Sequence, residues 1–290
     1  MKIVLTGTSG RFVIRFKEYI NKIAKDSEVI LLSLRGIEWK EFDFSTVDAV
    51  IHCAGITKSM DETYREFEEV NVKLTKDFFS TCVKQKVPYF MYLSSMSVYD
   101  GIDWGFGNAG IITKETKPIQ KTNYGRSKYE AEQAILMQQN ELTKISIVRA
   151  PSIVGKGMED YFRTYIRFSK IPLIPIPKAH EEAKRSIVYV DTLIEFMYEL
   201  VKERKTGIFF PQNYPMLSVS EMIEEVCNAR GKKKRRIPIW CKILPKKIEK
   251  KLFRQICYSE EMNFEENKKV GSISTYEAIR NAVIEGELND

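Results

Sequence analysis

The stretch Lys2-Ile3-Val4-Leu5-Thr6-Gly7-Thr8-Ser9-Gly10-Arg11-Phe12-Val13 sets a strand-forming apolar run directly against a glycine turn, and a helical pattern from Phe12 to about Ala24 follows. A turn of this kind aims the free N–H groups and the positive end of the new helix at whatever fills it. Gly7 and Gly10 let the backbone bend sharply and approach a pyrophosphate, with Ser9, Arg11 and Phe12 beside them. In the Gly-x-x-Gly-x-x-Gly form of this loop the third glycine falls at 13, where the chain has Val13, so helix packing and the hold on the phosphates are the points of departure. Arg11 either offers charge to the phosphates or stays solvated. A glycine pair alone also fits an ordinary strand-to-helix turn. Its place at the first strand of an alternating chain favours a dinucleotide.

Working outward, apolar runs at Val29–Leu32, Ala49–His52, Tyr89–Leu93 and Ile145–Val148 alternate with helical patterns over 62–85 and 124–139. That alternation predicts an α/β fold, a Rossmann-like doubly wound parallel sheet with helices on both faces. Beyond Gly155 the pattern changes, and the prolines of Ile171–Pro177 break any regular element. Gly207–Phe210 reads as a strand returning to the sheet. The expected organisation is a dinucleotide-binding domain over 1–155 with a returning strand near 207–212, and a smaller C-terminal substrate-binding lobe over 156–206 and 213–290.

With 290 residues, 43% hydrophobic and 29% charged, the composition is that of a globular protein. No run approaches the roughly 20 apolar residues of a membrane span, and no signal-peptide core precedes the first strand, so a cytoplasmic location is expected. Five cysteines without a Cys-x-x-Cys pair and two histidines, His52 and His180, argue against a metal. The net charge of +7 is concentrated partly in Lys232–Arg236 and Lys246–Lys251. These runs read first as solvated surface; the alternatives are steering of a nucleotide diphosphate or peripheral contact with an anionic membrane. They lack interleaved aromatics, so nucleic acid is not an expected partner.

The adenosine end of a dinucleotide is read at the end of the second strand, where an acid bonds the ribose 2′-hydroxyl and a base favours a 2′-phosphate. Here Leu32-Ser33-Leu34-Arg35 has no acid, which favours NADP through Ser33 and Arg35 and leaves NAD open. Asp43 either contacts the adenine or is an exposed loop aspartate.

Tyr124-Gly125-Arg126-Ser127-Lys128 sets a phenol and an ammonium one helical turn apart on one face. A phenol with a pKa of about 10 becomes a base near neutrality only with a positive charge beside it. Tyr198 and Lys202 repeat the spacing in an ordinary amphipathic helix. The first pair follows Leu93-Ser94-Ser95-Met96-Ser97-Val98-Tyr99, whose hydroxyls end an apolar strand at the edge where open parallel sheets bind ligands.

These motifs occur in one order with Asp48-Ala49-Val50-Ile51-His52-Cys53-Ala54-Gly55, Asn71-Val72 and Arg149-Ala150-Pro151-Ser152-Ile153-Val154-Gly155. Over roughly residues 1 to 200 the chain resembles the extended short-chain dehydrogenases of the NAD-dependent epimerase/dehydratase family, which act mainly on nucleotide sugars. The resemblance implies Ser95 as catalytic hydroxyl, Tyr124 as acid/base and Lys128 on the nicotinamide ribose. It places His52, Ala54, Gly55, Asn71 and Ser94 at the cofactor, and Ser97, Ser152 and Arg185 at a nucleotide-diphosphate sugar. The helices at 62–85 and 124–139 resemble those that pair in homodimers of the family. Three departures stand out: Val13, Asp100 inserted in Val98-Tyr99-Asp100-Gly101, and Asn123 before the tyrosine where proline is frequent. Met96-Ser97 lacks the acids that dehydratases of the family carry. The expected activity is a nucleotide-sugar 4-epimerase passing through a 4-keto-sugar, with a 4-keto-reductase of surface-polysaccharide synthesis second and a non-catalytic dinucleotide-binding regulator as the alternative from another class.

Overall fold

The computed structural model describes residues 1–57, 63–103, 110–158, 163–171, 176–177, 184–234, 236–237, 256–259, 261–262, 266–267 and 273–287. The run at 246–251, with Arg235, His180, Cys241 and the stretch 172–175, lies outside the described residues. Two compact units emerge: Met1–Ile102 with Lys117–Ala150 and Ile194–Phe210, and Asp103–Thr116 with Pro151–Leu193 and Pro211–Asp290.

In chain order the elements are β1 (Lys2–Thr6), α1 (Arg11–Ile23), β2 (Glu28–Leu32), β3 (Ala49–His52), α2 (Tyr64–Phe67), α3 (Leu74–Lys84), β4 (Tyr89–Ser95), β5 (Gly110–Ile112), α4 (Asn123–Leu136), β6 (Lys144–Ala150) and β7 (Ser152–Val154). There follow α5 (Arg163–Lys170), β8 (Ile176–Pro177), β9 (Lys184–Arg185), β10 (Ile187–Tyr189), α6 (Val190–Lys202), β11 (Gly207–Phe209), β12 (Leu217–Ser218), α7 (Val219–Ala229), β13 (Arg236–Ile237), β14 (Ile256–Tyr258) and α8 (Thr275–Glu287).

The first unit holds a six-stranded sheet in the order β11-β6-β4-β3-β1-β2, with every neighbouring pair parallel. Strands covered on both faces need apolar side chains at every position, which is why β1 and β3 read as unbroken runs. From β1 the chain steps one way to β2 and the other way to β3, β4 and β6. Right-handed crossovers therefore put α1 on one face and α3 with α4 on the other. On the latter face Val4, Val50, Phe90, Tyr92, Ile145 and Ile147 pack against Phe78, Phe79 and Cys82 of α3 and Ala131 and Ile135 of α4. On the former, α1 buries Phe12, Val13, Phe16 and Ile20, and Ser27 at its end joins Tyr198 of α6 at 2.8 Å. The reversal of direction at β1 and β3 opens a crevice beyond their carboxyl ends, the place where such sheets take ligands.

The doubly wound sheet agrees with the reading of the sequence, and β11 lies at its edge beside β6. One element differs: the helix expected over 62–85 is broken by a π-helical turn at Glu68–Lys73 between α2 and α3. One wide turn sets the residues before it out of register with those after it, and such turns concentrate at functional sites. Asn71 lies in it.

The second unit is built from short strand pairs: β7 with β10, β5 with β14 and β8 with β13 run parallel, while β9 and β12 run antiparallel. A capping box of Ser218 and Glu221 starts α7, and Arg280 of α8 pairs with Glu225 of α7. No described helix is long and apolar enough to cross a membrane.

Phe78 is fully buried between Trp39, Phe44, His52 and Phe90. Its replacement by alanine is expected to lower stability by about 3–5 kcal/mol in urea unfolding.

Candidate active site

A cleft of about 290 Å³ opens at the carboxyl ends of β1, β2 and β3. Gly7 forms its floor at φ +96°, and a Cβ there would stand 3.2 Å from the Ala54 nitrogen, so both conformation and space require glycine. Gly10 is the N-cap of α1 in extended conformation, without a side chain on the free N–H groups and without an acid in the first turn. The helix N-terminus is thus left open to an anion. Val13 is 2% exposed, lines the cleft and lies 3.6 Å from a Cβ built on Gly10. Valine fits where the third glycine was expected, and α1 forms with its apolar face buried. Ser9 and Phe12 line the same end, Ser33, Leu34 and Arg35 the other, and Ala54 and Gly55 the wall between. The cradle, the open helix end and the arginine suit a phosphate-bearing dinucleotide.

Six residues expected at the cofactor are not among those that line the cleft; one of them, Lys128, stands near Ser95 and Tyr124, described below. His52 is fully buried: Nδ1 meets Thr6 Oγ1 at 2.8 Å and Nε2 meets Thr75 Oγ1 at 2.9 Å. Because Thr6 Oγ1 also accepts the N–H groups of Cys53 and Ala54, its proton points at Nδ1 and the imidazole donates from Nε2. Burial, then the charge of Lys128, push the imidazole down to about 3. His52 is a neutral core residue that steadies the cleft wall from behind. Asn71 is likewise a brace, since its amide accepts from Ile56 N–H (2.8 Å) and donates to Ile56 O and Ser127 Oγ (2.9 Å each). Ser94 turns its hydroxyl inward to Glu132. Asp43 is exposed and accepts the Ser45 N–H at 2.8 Å. Arg11 is exposed at the start of α1 and is not part of the cleft wall.

Ser95 ends β4, and its Oγ accepts the Ser97 N–H at 3.1 Å, capping a short 3-10 turn at Met96–Tyr99 while donating to Ser97 Oγ at 3.1 Å. The start of α4 rests on that turn. Thr122 is its N-cap, and Asp100 accepts from Lys121 N–H (2.5 Å) and from the Thr122 hydroxyl. A Cβ on Gly125 would fall 2.3 Å from the Ser97 carbonyl oxygen, so the backbones pack directly. The phenol of Tyr124, one residue earlier, stands beside the Ser95 hydroxyl. One turn later Lys128 is buried, donates to Leu93 O at 2.8 Å and stands 4.6 Å from the centre of the Tyr92 ring. Burial raises the Tyr124 phenol, and the neighbouring Ser95 hydroxyl opposes that rise. Burial lowers the Lys128 ammonium to about 8, against the pull of Cys53 and Glu132.

The second tyrosine–lysine pair has no such setting: Tyr198 bonds Ser27, and Lys202 pairs with Glu199 at 2.7 Å on the surface. In the second unit Ser152 starts β7 opposite Ile187 of β10, and Arg185 lies two residues before that partner, in β9. Asp100, a departure in the sequence, and Gly125 prove to fix the start of α4. The inserted acid before a glycine-bearing helix start was the available signal.

Gly125→Ala is expected to displace the start of α4 and to lower stability by about 1–3 kcal/mol in urea unfolding, because the obstacle is backbone. His52 makes stability depend on pH. The unfolded chain takes up a proton near 6.5 that the folded chain refuses until about 3, so stability is full above 6.5 and declines as pH falls through that window. The slope is at most about 1.4 kcal/mol per pH unit for one group. It should vanish in His52→Gln, measured by urea unfolding from pH 7 to 4.

The fold is shared with a UDP-N-acetylglucosamine 4-epimerase from Bacillus cereus (TM-score 0.76, 19% identity, covering 98% of each chain). It is shared also with a UDP-glucuronic acid 4-epimerase from Bacillus cereus solved with NAD (0.72, 16%, 97% of this chain and 94% of that one). A dTDP-4-dehydrorhamnose reductase from Bacillus anthracis str. Ames solved with NADP is similar to the same degree (0.72, 19%, 98% and 99%). No curated protein matches the sequence. The model of the 3-beta hydroxysteroid dehydrogenase/isomerase family matches residues 42–198, from the loop after β2 through β4 and α4 to α6. The chain therefore belongs to the 3-beta hydroxysteroid dehydrogenase/isomerase family, within the extended short-chain dehydrogenases.

Proposed function

We propose that the chain is an NAD(P)-dependent nucleotide-sugar 4-epimerase that works through a transient 4-keto-sugar. The observation that carries the reading is the Ser95 hydroxyl beside the Tyr124 phenol, with Lys128 one turn behind, at the sheet edge that also carries the glycine cradle. Sugar 4-epimerases of the same fold support the substrate class. Gly7, Ser9, Gly10 and Phe12 would hold the pyrophosphate, Ser33 and Arg35 the adenosine ribose, and Lys128 the nicotinamide ribose. The nicotinamide supplies a reversible hydride acceptor.

Tyr124 accepts the proton of the sugar hydroxyl and later returns it, while Ser95 holds the same oxygen. Burial alone would keep the phenol protonated, so the base form needs a positive charge near it, which the oxidised nicotinamide and Lys128 would supply. Met96 and Ser97 follow Ser95 without a carboxylate, which leaves no acid there to assist loss of water. In this reading the second unit is the substrate lobe, with Ser152 and Arg185 toward the nucleotide-diphosphate sugar.

A 4-keto-reductase is the second reading, favoured by Ser33 and Arg35 in the cleft wall: a serine and a guanidinium suit a 2′-phosphate, hence an exchangeable NADPH. Incubation with UDP-, GDP- and dTDP-sugars and a 3β-hydroxysteroid, with and without each nicotinamide, separates the cases. The epimerase converts a nucleotide sugar without net consumption of dinucleotide. Stoichiometric NAD(P)H consumption with a 4-keto-sugar assigns the reductase, and oxidation of the steroid alone removes both.

Tyr124→Phe is expected to lower turnover by about 10³-fold, within the range of positioned acid–base catalysis, and to leave dinucleotide affinity nearly unchanged by fluorescence titration. An unchanged rate would remove the acid/base role.

A further inference from the structure

Behind these groups lies a buried carboxylate that the reaction does not use. Glu132 sits one helical turn after Lys128 on α4 and is fully buried. It accepts from Arg149 through Nε at 3.1 Å and Nη2 at 2.6 Å, and from the Ser94 hydroxyl. Arg149, 5% exposed near the end of β6, donates through Nη1 to the Tyr99 hydroxyl at 2.5 Å. One ion pair thus ties together α4, the residue before Ser95, the end of β6 and the turn after β4.

We propose that Glu132 and Arg149 are positioning residues that set the Ser95 hydroxyl against the Tyr124 phenol and hold the Lys128 ammonium in place, a role that rests on the reading of those three as the reacting groups. Ser95 and Tyr124 stand on different elements, and hydrogen bonds between exposed loops would leave their separation loose. Ser94 is the neighbour of Ser95 on a pleated strand, so fixing its hydroxyl to α4 fixes where Ser95 points. A bidentate carboxylate–guanidinium contact adds directional constraint that a single bond lacks. The carboxylate also favours the charged form of Lys128, which stands beside the Cys53 thiol, the neutral His52, the Tyr92 ring and the Leu93 carbonyl.

Removing one partner strands a buried charge, whereas replacing both with apolar groups of similar volume is tolerated. The test therefore uses Glu132→Leu with Arg149→Met, and Ser94→Ala as a milder cut of one arm. The double variant is expected to fold and to bind NAD(P) within about threefold of the parent, with kcat down about 100-fold, the scale of a small misplacement, and KM little changed. Its Tyr124 ionisation, isolated as the alkaline tyrosinate absorbance lost in a Tyr124→Phe background, should move up by about one pH unit as the Ser95 hydroxyl loses its place beside the phenol. Ser94→Ala should shift both readouts the same way by less, and it decides the matter if the double variant does not fold. A folded double variant, or failing that Ser94→Ala, with parental Tyr124 ionisation and kcat overturns the proposal. The ionisation readout needs no substrate: a parent that converts no nucleotide sugar sinks the proposed activity, while a Tyr124 shift still tests the pair.

Discussion

The site depends on one close approach, that of the first turn of α4 onto the turn that ends β4. Gly125 rests on the Ser97 carbonyl with no space for a side chain, and Asp100 and Thr122 tie the backbone just before it. Tyr124 and Ser95 meet because those two backbones meet. Strand pairing fixes β4 between β3 and β6, so any displacement of α4 is felt first at the phenol. Below this contact the Glu132–Arg149 pair joins the same two elements a second time, deeper in the core.

The cofactor cleft is assembled by a different device. Strand order reverses between β1 and β3, the glycine turn fills the opening, and the loop Cys53–Ile56 forms its wall. That loop is held from behind by neutral hydrogen bonds from Thr6 and Asn71. Lys128 reaches the boundary of both regions: its Nζ lies 3.9 Å from a Cβ built on Gly55 and one helical turn from Tyr124.

Much of this was legible in the residues, and the failures have a physical pattern. The parallel strands were visible because strands covered on both faces need continuous apolar runs, and the glycine turn because it follows such a run. His52 and Ser94 were misplaced by one residue's worth of geometry. Each neighbours a residue at the site, Cys53 or Ser95, but alternate positions of a strand point to opposite sides, so both turn into the core. Asn71 escaped because a π-helical turn leaves no mark in an otherwise regular helical pattern. Asp100 and Arg149 were on the page as residues but not as partners, since each acts on an element 17 or more positions away. Glu132 carried a readable signal: an acid between the apolar positions Ala131 and Ile135, on the face that also holds Lys128.

The central claim is that Ser95, Tyr124 and Lys128 drive reversible hydride transfer at a sugar carbon. Its most direct test follows deuterium placed at C4 of the nucleotide sugar that the protein converts, read by NMR and mass spectrometry. The account predicts that deuterium returns to C4 of the epimer with no incorporation of solvent hydrogen. Loss of the deuterium to water during conversion would contradict it, because C4 would then have reacted by proton abstraction rather than by hydride transfer.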